Sequence, residues 1–157
     1  MSDRFEEFKQ ECLDEEQAKR LDSVEGKREA KRFENQSEYH MKAVEDLLEG
    51  EANLIAIVEG YYSMLHKANQ VLALAGFKPD SHKCTLLGVR GVFYRSDLAK
   101  TLQRAMDERI NVDYYMDPEK PDMEEFKDPQ NFVNQEVKPF IQEIEELIES
   151  EELRKRE

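Results

Sequence analysis

The sequence has no stretch of apolar residues long enough to cross a membrane. A membrane-spanning helix needs roughly 20 apolar residues in a row, whereas the most apolar stretch, residues 52–76, is interrupted by Glu59, His66 and Lys67. Residues 1–10 are charged from the third position and contain no apolar signal core. We therefore expect a cytoplasmic protein with no membrane partner.

Cysteine is scarce, and the common signature motifs are missing. The two cysteines, Cys12 and Cys84, are far apart and form no CxxC motif, so we expect free thiols rather than a disulfide framework or a zinc knuckle. There is no glycine-rich phosphate loop, nucleophile elbow or HExxH helix. His82 lies two residues before Cys84, but the remaining ligand types are scattered. We expect no metal and no cofactor.

Acidic residues outnumber basic ones, and they are unevenly distributed. The 157 residues, enough for one domain, carry a net charge of −13. Such a chain repels nucleic acid at long range, so a DNA partner and a broad phosphate-tracking surface are not expected. Residues 52–110 nevertheless have a small positive net charge. A local basic patch would draw on residues of this segment, namely Lys78, Lys83, Arg90, Arg95, Lys100, Arg104 and Arg109.

The hydrophobic pattern predicts an all-α fold, because no segment alternates apolar and polar residues as a strand does. Residues 52–76 are apolar around most of the helical circumference and predict the central helix. The fold we expect is an antiparallel up-and-down bundle of four to five helices, residues 27–157, preceded by an N-terminal helical extension, residues 1–26. Whether this extension docks on the bundle or projects from it is left open.

Turn and capping residues predict where the bundle helices begin and end. Gly50 closes a helix that starts at Lys27, and a short helix extends from about His82 to Tyr94. Ser96 caps the next helix, which ends near residues 113–117 before a proline-rich surface loop. The last helix begins at Asp128 and Pro129, and Pro139 should kink it or mark its true start.

The few polar residues of the central helix recur at intervals of three or four and therefore lie in one stripe. A polar stripe on a buried helix either finds partners or lines a site. Its members are Glu59, Ser63, His66, Lys67 and Gln70.

Arg109, near the end of a predicted helix, is the second candidate for function. Asp113 follows one helical turn later, which is the spacing of a salt bridge, and Tyr114 and Tyr115 come next. One interpretation is an ordinary helix terminus. The other is a guanidinium held ready for a phosphate, with aromatic rings able to stack on a base.

Two segments carry a family resemblance. The order GYYSMLHKANQVLALAGFKPDSHK and then DLAKTLQRAMDERINVDYYMD resembles the small prokaryotic HEPN domain proteins, over roughly residues 27–148. This resemblance implies a four-to-five-helix bundle that forms a homodimer. It also implies a minimal nucleotidyltransferase as partner in a toxin–antitoxin pair, and many members resemble metal-independent ribonucleases.

The ribonuclease signature of that family, an Arg followed four to six residues later by a His, is incomplete in this chain. Arg109 matches the Arg, but Tyr114 stands where the His belongs and Ile110 replaces the usual polar neighbour. A phenol with a pKa of about 10 transfers protons poorly at pH 7. The residues considered for ligand binding are Arg109, Asp113, Tyr114, His66, His82 and Lys83.

Three functions remain open at this point. The first is a non-catalytic or weakly active HEPN-like protein that binds a nucleotide, RNA or a nucleotidyltransferase through a cleft around Arg109. The second is a metal-independent ribonuclease in which His66 or His82 transfers the proton. The third is a structural scaffold. The net charge of −13 favours a basic protein partner or one small phosphorylated ligand over general RNA binding.

Overall fold

The computed structural model describes residues 3–50, 54–115 and 128–156. This part of the chain is the expected all-α bundle, with a two-stranded antiparallel sheet added. The helices are α1 (Asp3–Phe8, continued by a π-helical turn at Lys9–Leu13), α2 (Ser23–Leu48), α3 (Ile55–Leu74), α4 (His82–Val92), α5 (Ser96–Tyr115), α6 (Pro129–Phe132, continued by a π-helical turn at Val133–Val137) and α7 (Lys138–Arg156), and the strands are β1 (Ala18–Arg20) and β2 (Phe77–Pro79).

Helix α3 is the centre of the fold, as its all-round apolar character predicts. It packs against α2, α4, α5 and α7, and most of its side chains are buried. Where α2 and α3 meet, a Cβ atom on Gly26 would lie 2.5 Å from the carbonyl oxygen of Ala73. Only glycine permits so close an approach of the two backbones.

Capping side chains define several helix starts. Asp22 accepts a hydrogen bond from the Glu25 amide (2.8 Å) while the Glu25 side chain accepts one from the Asp22 amide (3.0 Å), a complete capping box. Helix α2 therefore begins at Ser23, four residues before the predicted Lys27, and contains Gly26. Asp128 caps the last helical segment by accepting from the Gln130 amide at 2.8 Å, as predicted.

The expected irregularity near Pro139 is present as the π-helical turn at Val133–Val137, which ends just before that proline. Proline has no amide hydrogen to donate to the preceding turn, so a local change in helical pitch is a common accommodation. The surface loop predicted before Asp128 falls largely on residues 116–127 and lies outside the described residues.

The N-terminal extension docks on the bundle. Phe8 and Cys12 are fully buried, and the Phe8 ring meets Phe77 edge-on with the centroids 5.5 Å apart. A Cβ atom on Gly91 of α4 would lie 2.5 Å from the carbonyl oxygen of Arg4. Strands β1 and β2 then tie the extension to the chain after α3, with Ala18 opposite Pro79. The strands were not predicted, because three residues are too few to show alternation.

The prediction of free thiols is wrong, because Cys12 and Cys84 form a disulfide. The sulfur atoms are 2.06 Å apart and the Cα atoms 5.8 Å apart. The cysteines are 72 positions apart in the chain, and only the docking of α1 on α4 brings them within the distance that a disulfide requires. Spacing in the sequence carries no signal of such a contact.

None of the described helices is both long enough and apolar enough to cross a membrane.

Candidate functional site

Most of the polar stripe on α3 is satisfied by neighbouring helices. The Ser63 hydroxyl donates to the Ser37 carbonyl oxygen at 2.9 Å, and the Ser37 hydroxyl donates to the Ser63 carbonyl oxygen at 2.8 Å. Lys67 forms an ion pair with Glu145 on α7, with 3.4 Å between nitrogen and oxygen. These contacts join the helices, and the two tyrosines of α3 lie in its N-terminal half.

Arg109 on α5 lies against two tyrosines in that half of α3. Its Nη1 donates a hydrogen bond to the Tyr62 hydroxyl at 2.8 Å. The guanidinium carbon is 5.5 Å from the centre of the Tyr61 ring and 5.7 Å from that of Tyr62, within the range of cation–π attraction. The buried Nε of Arg109 has no hydrogen-bond partner among the described residues, so the guanidinium retains a donor for a further group.

His82 reaches the same tyrosines from the start of α4. Its Nδ1 shares a hydrogen bond of 3.0 Å with the Tyr61 hydroxyl, and its ring is 6.3 Å from the Tyr62 ring in a T-shaped arrangement. Ser81 fixes this end of α4 by accepting a hydrogen bond from the Cys84 amide at 3.1 Å. The helix cap thus sets the position of His82.

His66 lies on the other side of Tyr62, in a stack of rings. Its ring is parallel to that of His40 on α2, with 5.3 Å between centroids, and Phe33 continues the stack at 6.1 Å. His40 in turn contacts the Glu59 carboxylate through Nδ1. The buried Nδ1 of His66 has no hydrogen-bond partner among the described residues. We refer to the following residues as the Arg109 cluster: His40, Glu59, Tyr61, Tyr62, His66, His82 and Arg109.

Burial sets the protonation of the cluster. It lowers the pKa of His66 to about 4, assisted by repulsion from His40 and His82. Burial also lowers the pKa of His82, and the positive charge of Arg109 adds to this effect. The pKa of Tyr61 rises to about 12, because burial outweighs the opposing influence of Arg109. At pH 7 the cluster therefore offers one permanent cation beside two neutral imidazoles and a neutral phenol.

The structure brings together three of the six residues predicted to bind a ligand, namely Arg109, His66 and His82. Lys83 is exposed and forms an ion pair at 2.9 Å with Glu11, which is not a member of the cluster. Asp113 is exposed, and among the described residues no ion pair joins it to Arg109, which donates a hydrogen bond to Tyr62. The side chain of Tyr114 lies outside the described part of the structure.

Sequence reasoning missed four members of the cluster. Tyr61 and Tyr62 belong to the first segment that resembles the HEPN proteins, but no role was predicted for them. Glu59 was predicted only as a member of the polar stripe on α3. His40 was not predicted, although it follows Ser37 by three residues and precedes Val44 by four on the buried side of α2. That spacing is the signal that would have found it.

A cavity of about 250 Å³ adjoins the cluster on the side of His82 and Phe33. Lys78 and Asn69 also line this cavity. Among the described residues, no group of three histidine, cysteine or acidic side chains is placed to hold a metal ion. The chemistry that these side chains themselves offer is a guanidinium, a carboxylate that contacts His40, hydrogen-bonding imidazoles and flat aromatic faces.

Comparison of the chain with protein-family models, curated proteins and solved structures finds no match.

Proposed function

We propose that the protein is a HEPN-like binding protein whose Arg109 cluster holds the phosphate of a nucleotide or of single-stranded RNA. The observation that carries this proposal is the meeting of Arg109 with His66 and His82 around one pair of tyrosines. These groups come from three different helices, and the sequence alone marks each of them as a candidate.

The chemistry of the cluster suits a phosphate. A guanidinium binds phosphate oxygens through paired hydrogen bonds, and Arg109 keeps a buried Nε without a partner among the described residues. Neutral imidazoles each carry one N–H that can donate to a second oxygen. Tyrosine and histidine rings stack on bases without requiring a particular sequence. The net charge of −13 favours a short ligand over a long polyanion.

The test compares ligand binding by wild type, Arg109→Ala and Arg104→Ala. Arg104 is the matched control, because it lies on the same helix with 56% of its side chain exposed and outside the cluster. Fluorescence anisotropy with labelled AMP and a labelled six-nucleotide RNA should show at least about a tenfold loss for Arg109→Ala. Equal affinity of all three proteins would overturn the proposal.

A metal-independent ribonuclease is the second candidate, and the two histidines that contact the tyrosines beside Arg109 favour it. A neutral imidazole can accept the 2′-hydroxyl proton of RNA, and the imidazolium formed in this way can return that proton to the leaving oxygen. The pKa of His66 is about 4 and that of His82 is also lowered, so both imidazoles are unprotonated at pH 7. A pKa as low as that of His66 makes it a weak base at this pH. Cleavage of RNA in the presence of EDTA, abolished by His66→Asn or His82→Asn, would establish this function; no cleavage, or cleavage that survives both variants, would exclude a ribonuclease that uses these histidines.

The resemblance adds proposals about partners. We expect a homodimer and binding to a minimal nucleotidyltransferase within a toxin–antitoxin pair. Light scattering tests the mass, and co-purification with a nucleotidyltransferase encoded beside this gene tests the pair. A monomer that binds neither nucleotide nor RNA nor such an enzyme would leave the scaffold alternative.

A further inference from the structure

A second candidate binding site lies in a groove formed by α1, α4 and α5. The groove has a volume of about 580 Å³, within the range of small-molecule sites. Leu86, Leu87 and Ala99 give it an apolar base. No member of the Arg109 cluster lines it, so it is a separate surface.

The charge of this groove is opposite to that of the protein. Four basic side chains line it against two acidic ones, in a chain whose net charge is −13. Three of the basic residues, Lys83, Arg90 and Lys100, belong to the basic middle segment of the sequence. The proposed function gives them no role. Such a local reversal of sign attracts anions at short range.

Several hydrogen-bond donors in the groove have no acceptor among the described residues. Arg90 uses one terminal nitrogen in an ion pair with Glu7, yet its buried Nε has no hydrogen-bond partner among the described residues. The buried Ser96 hydroxyl likewise has none among them, and no ion pair joins Lys100 to any described residue. Buried donors without acceptors are costly, so an anion with several oxygens would stabilise them.

We propose that this groove binds a small phosphorylated molecule with an apolar or aromatic part, such as a nucleoside phosphate. Arg90, Lys100 and Ser96 hold the phosphate oxygens, and the ring system covers Leu86 and Leu87. The cationic rim supplies affinity for the anion, while the leucines distinguish an organic phosphate from inorganic phosphate. This site is independent of the Arg109 cluster.

Isothermal titration and amide chemical-shift mapping with ATP, pyrophosphate and adenosine test the site. We expect ATP to bind more tightly than pyrophosphate, adenosine not to bind, and the ATP-induced shifts to centre on Leu86, Ser96 and Ala99. Lys100→Gln should weaken ATP binding in the groove about tenfold. Arg104→Gln, on the same helix but outside the groove, is the control and should bind as wild type does.

Arg90→Gln combined with Lys100→Gln should abolish the shifts in the groove, and the thermal unfolding midpoint of each variant shows whether it folds. Shifts elsewhere only, or unchanged ATP affinity in folded Lys100→Gln, would overturn the site. Pyrophosphate binding as tight as ATP would overturn the role of the leucines. Because Arg109→Ala should leave the groove shifts intact, failure of this site and failure of the Arg109 cluster can be told apart.

Discussion

Arg109 and Tyr62 connect α5 to α3 through a hydrogen bond of 2.8 Å from the guanidinium to the phenol oxygen. The bond places the guanidinium carbon over the Tyr61 and Tyr62 rings, 5.5 Å and 5.7 Å from their centres. Since Tyr61 also bonds His82, the two tyrosines hold the cation and one imidazole in a fixed relation. Orientation of Arg109 therefore depends on a neighbouring phenol, where the sequence had suggested Asp113.

Removal of that phenol oxygen should loosen Arg109. We expect Tyr62→Phe to lower the free energy of unfolding by about 1 kcal/mol, because one hydrogen bond to a charged donor is lost while the ring stays. Urea unfolding measures the change. Tyr94→Phe is the control, because Tyr94 is 53% exposed, and it should unfold as wild type does. No loss in Tyr62→Phe, or the same loss in both, would contradict the assignment.

The lowered pKa of His66 should make stability depend on pH in a defined direction. The folded protein keeps His66 neutral down to about pH 4, whereas the unfolded chain takes up this proton near pH 6.5. The stability difference is therefore lost as the pH falls from about 6.5 towards 4.

Because the ring is partly exposed, we expect the titration of His66 to lower the free energy of unfolding by on the order of 1 kcal/mol. Urea unfolding of wild type and His66→Gln at pH 7.5 and pH 5 isolates it, since titration of the other groups is common to both proteins. The wild type should lose more stability than the variant. Equal losses would show that His66 titrates normally.

The disulfide should contribute substantially to stability. It closes a long loop, with 72 positions between its cysteines, and the chain-entropy estimate for such a loop is about 4 kcal/mol. We expect dithiothreitol to lower the urea midpoint of wild type and to leave that of the double variant Cys12→Ser, Cys84→Ser unchanged. If dithiothreitol leaves the urea midpoint of the wild type unchanged, or if the native protein contains free thiols, the disulfide is not formed.

The close approach of α2 and α3 at Gly26 gives a packing prediction. Gly26→Ala would place a methyl group 2.5 Å from the Ala73 carbonyl oxygen, so the helices must separate, at a cost of about 1–3 kcal/mol. Gly50→Ala is the control, since the nearest heavy atom there is 3.8 Å away. Thermal unfolding should show a large drop for Gly26→Ala only. Equal midpoints would mean that the two backbones are farther apart.

Local signals allowed much of the bundle to be predicted. Asp128 and Pro129 start the last helical segment where a capping residue and a first-turn proline predict it. Helix α5 also begins at Ser96, but the Ser96 hydroxyl has no hydrogen-bond partner among the described residues and so does not form the predicted cap. The predicted start of α2 lies four residues too far along the chain, because a glycine such as Gly26 is typical of a helix end. In the structure Gly26 instead allows a close contact between two helix backbones. Such contacts depend on the partner helix and leave no periodic pattern.

The sequence predicted only part of the candidate site, and the reason is similar. His66, His82 and Arg109 could be predicted because histidine is rare in this chain and because each residue lies in an apolar stretch or near a predicted helix end. His40 lies on a long charged helix and gains meaning only from the ring of His66 packed against it. The bond between Cys12 and Cys84 likewise depends on docking between distant segments.

The most direct test of the central claim is the Nε–H resonance of Arg109 in ¹⁵N-labelled protein, followed during titration with AMP and with adenosine. Its assignment comes from loss of the signal in Arg109→Lys. Because this buried donor has no partner among the described residues, a phosphate held by the cluster should shift it. We predict a saturable shift with AMP and none with adenosine. An Arg109 resonance that stays unchanged at saturating AMP would contradict the account.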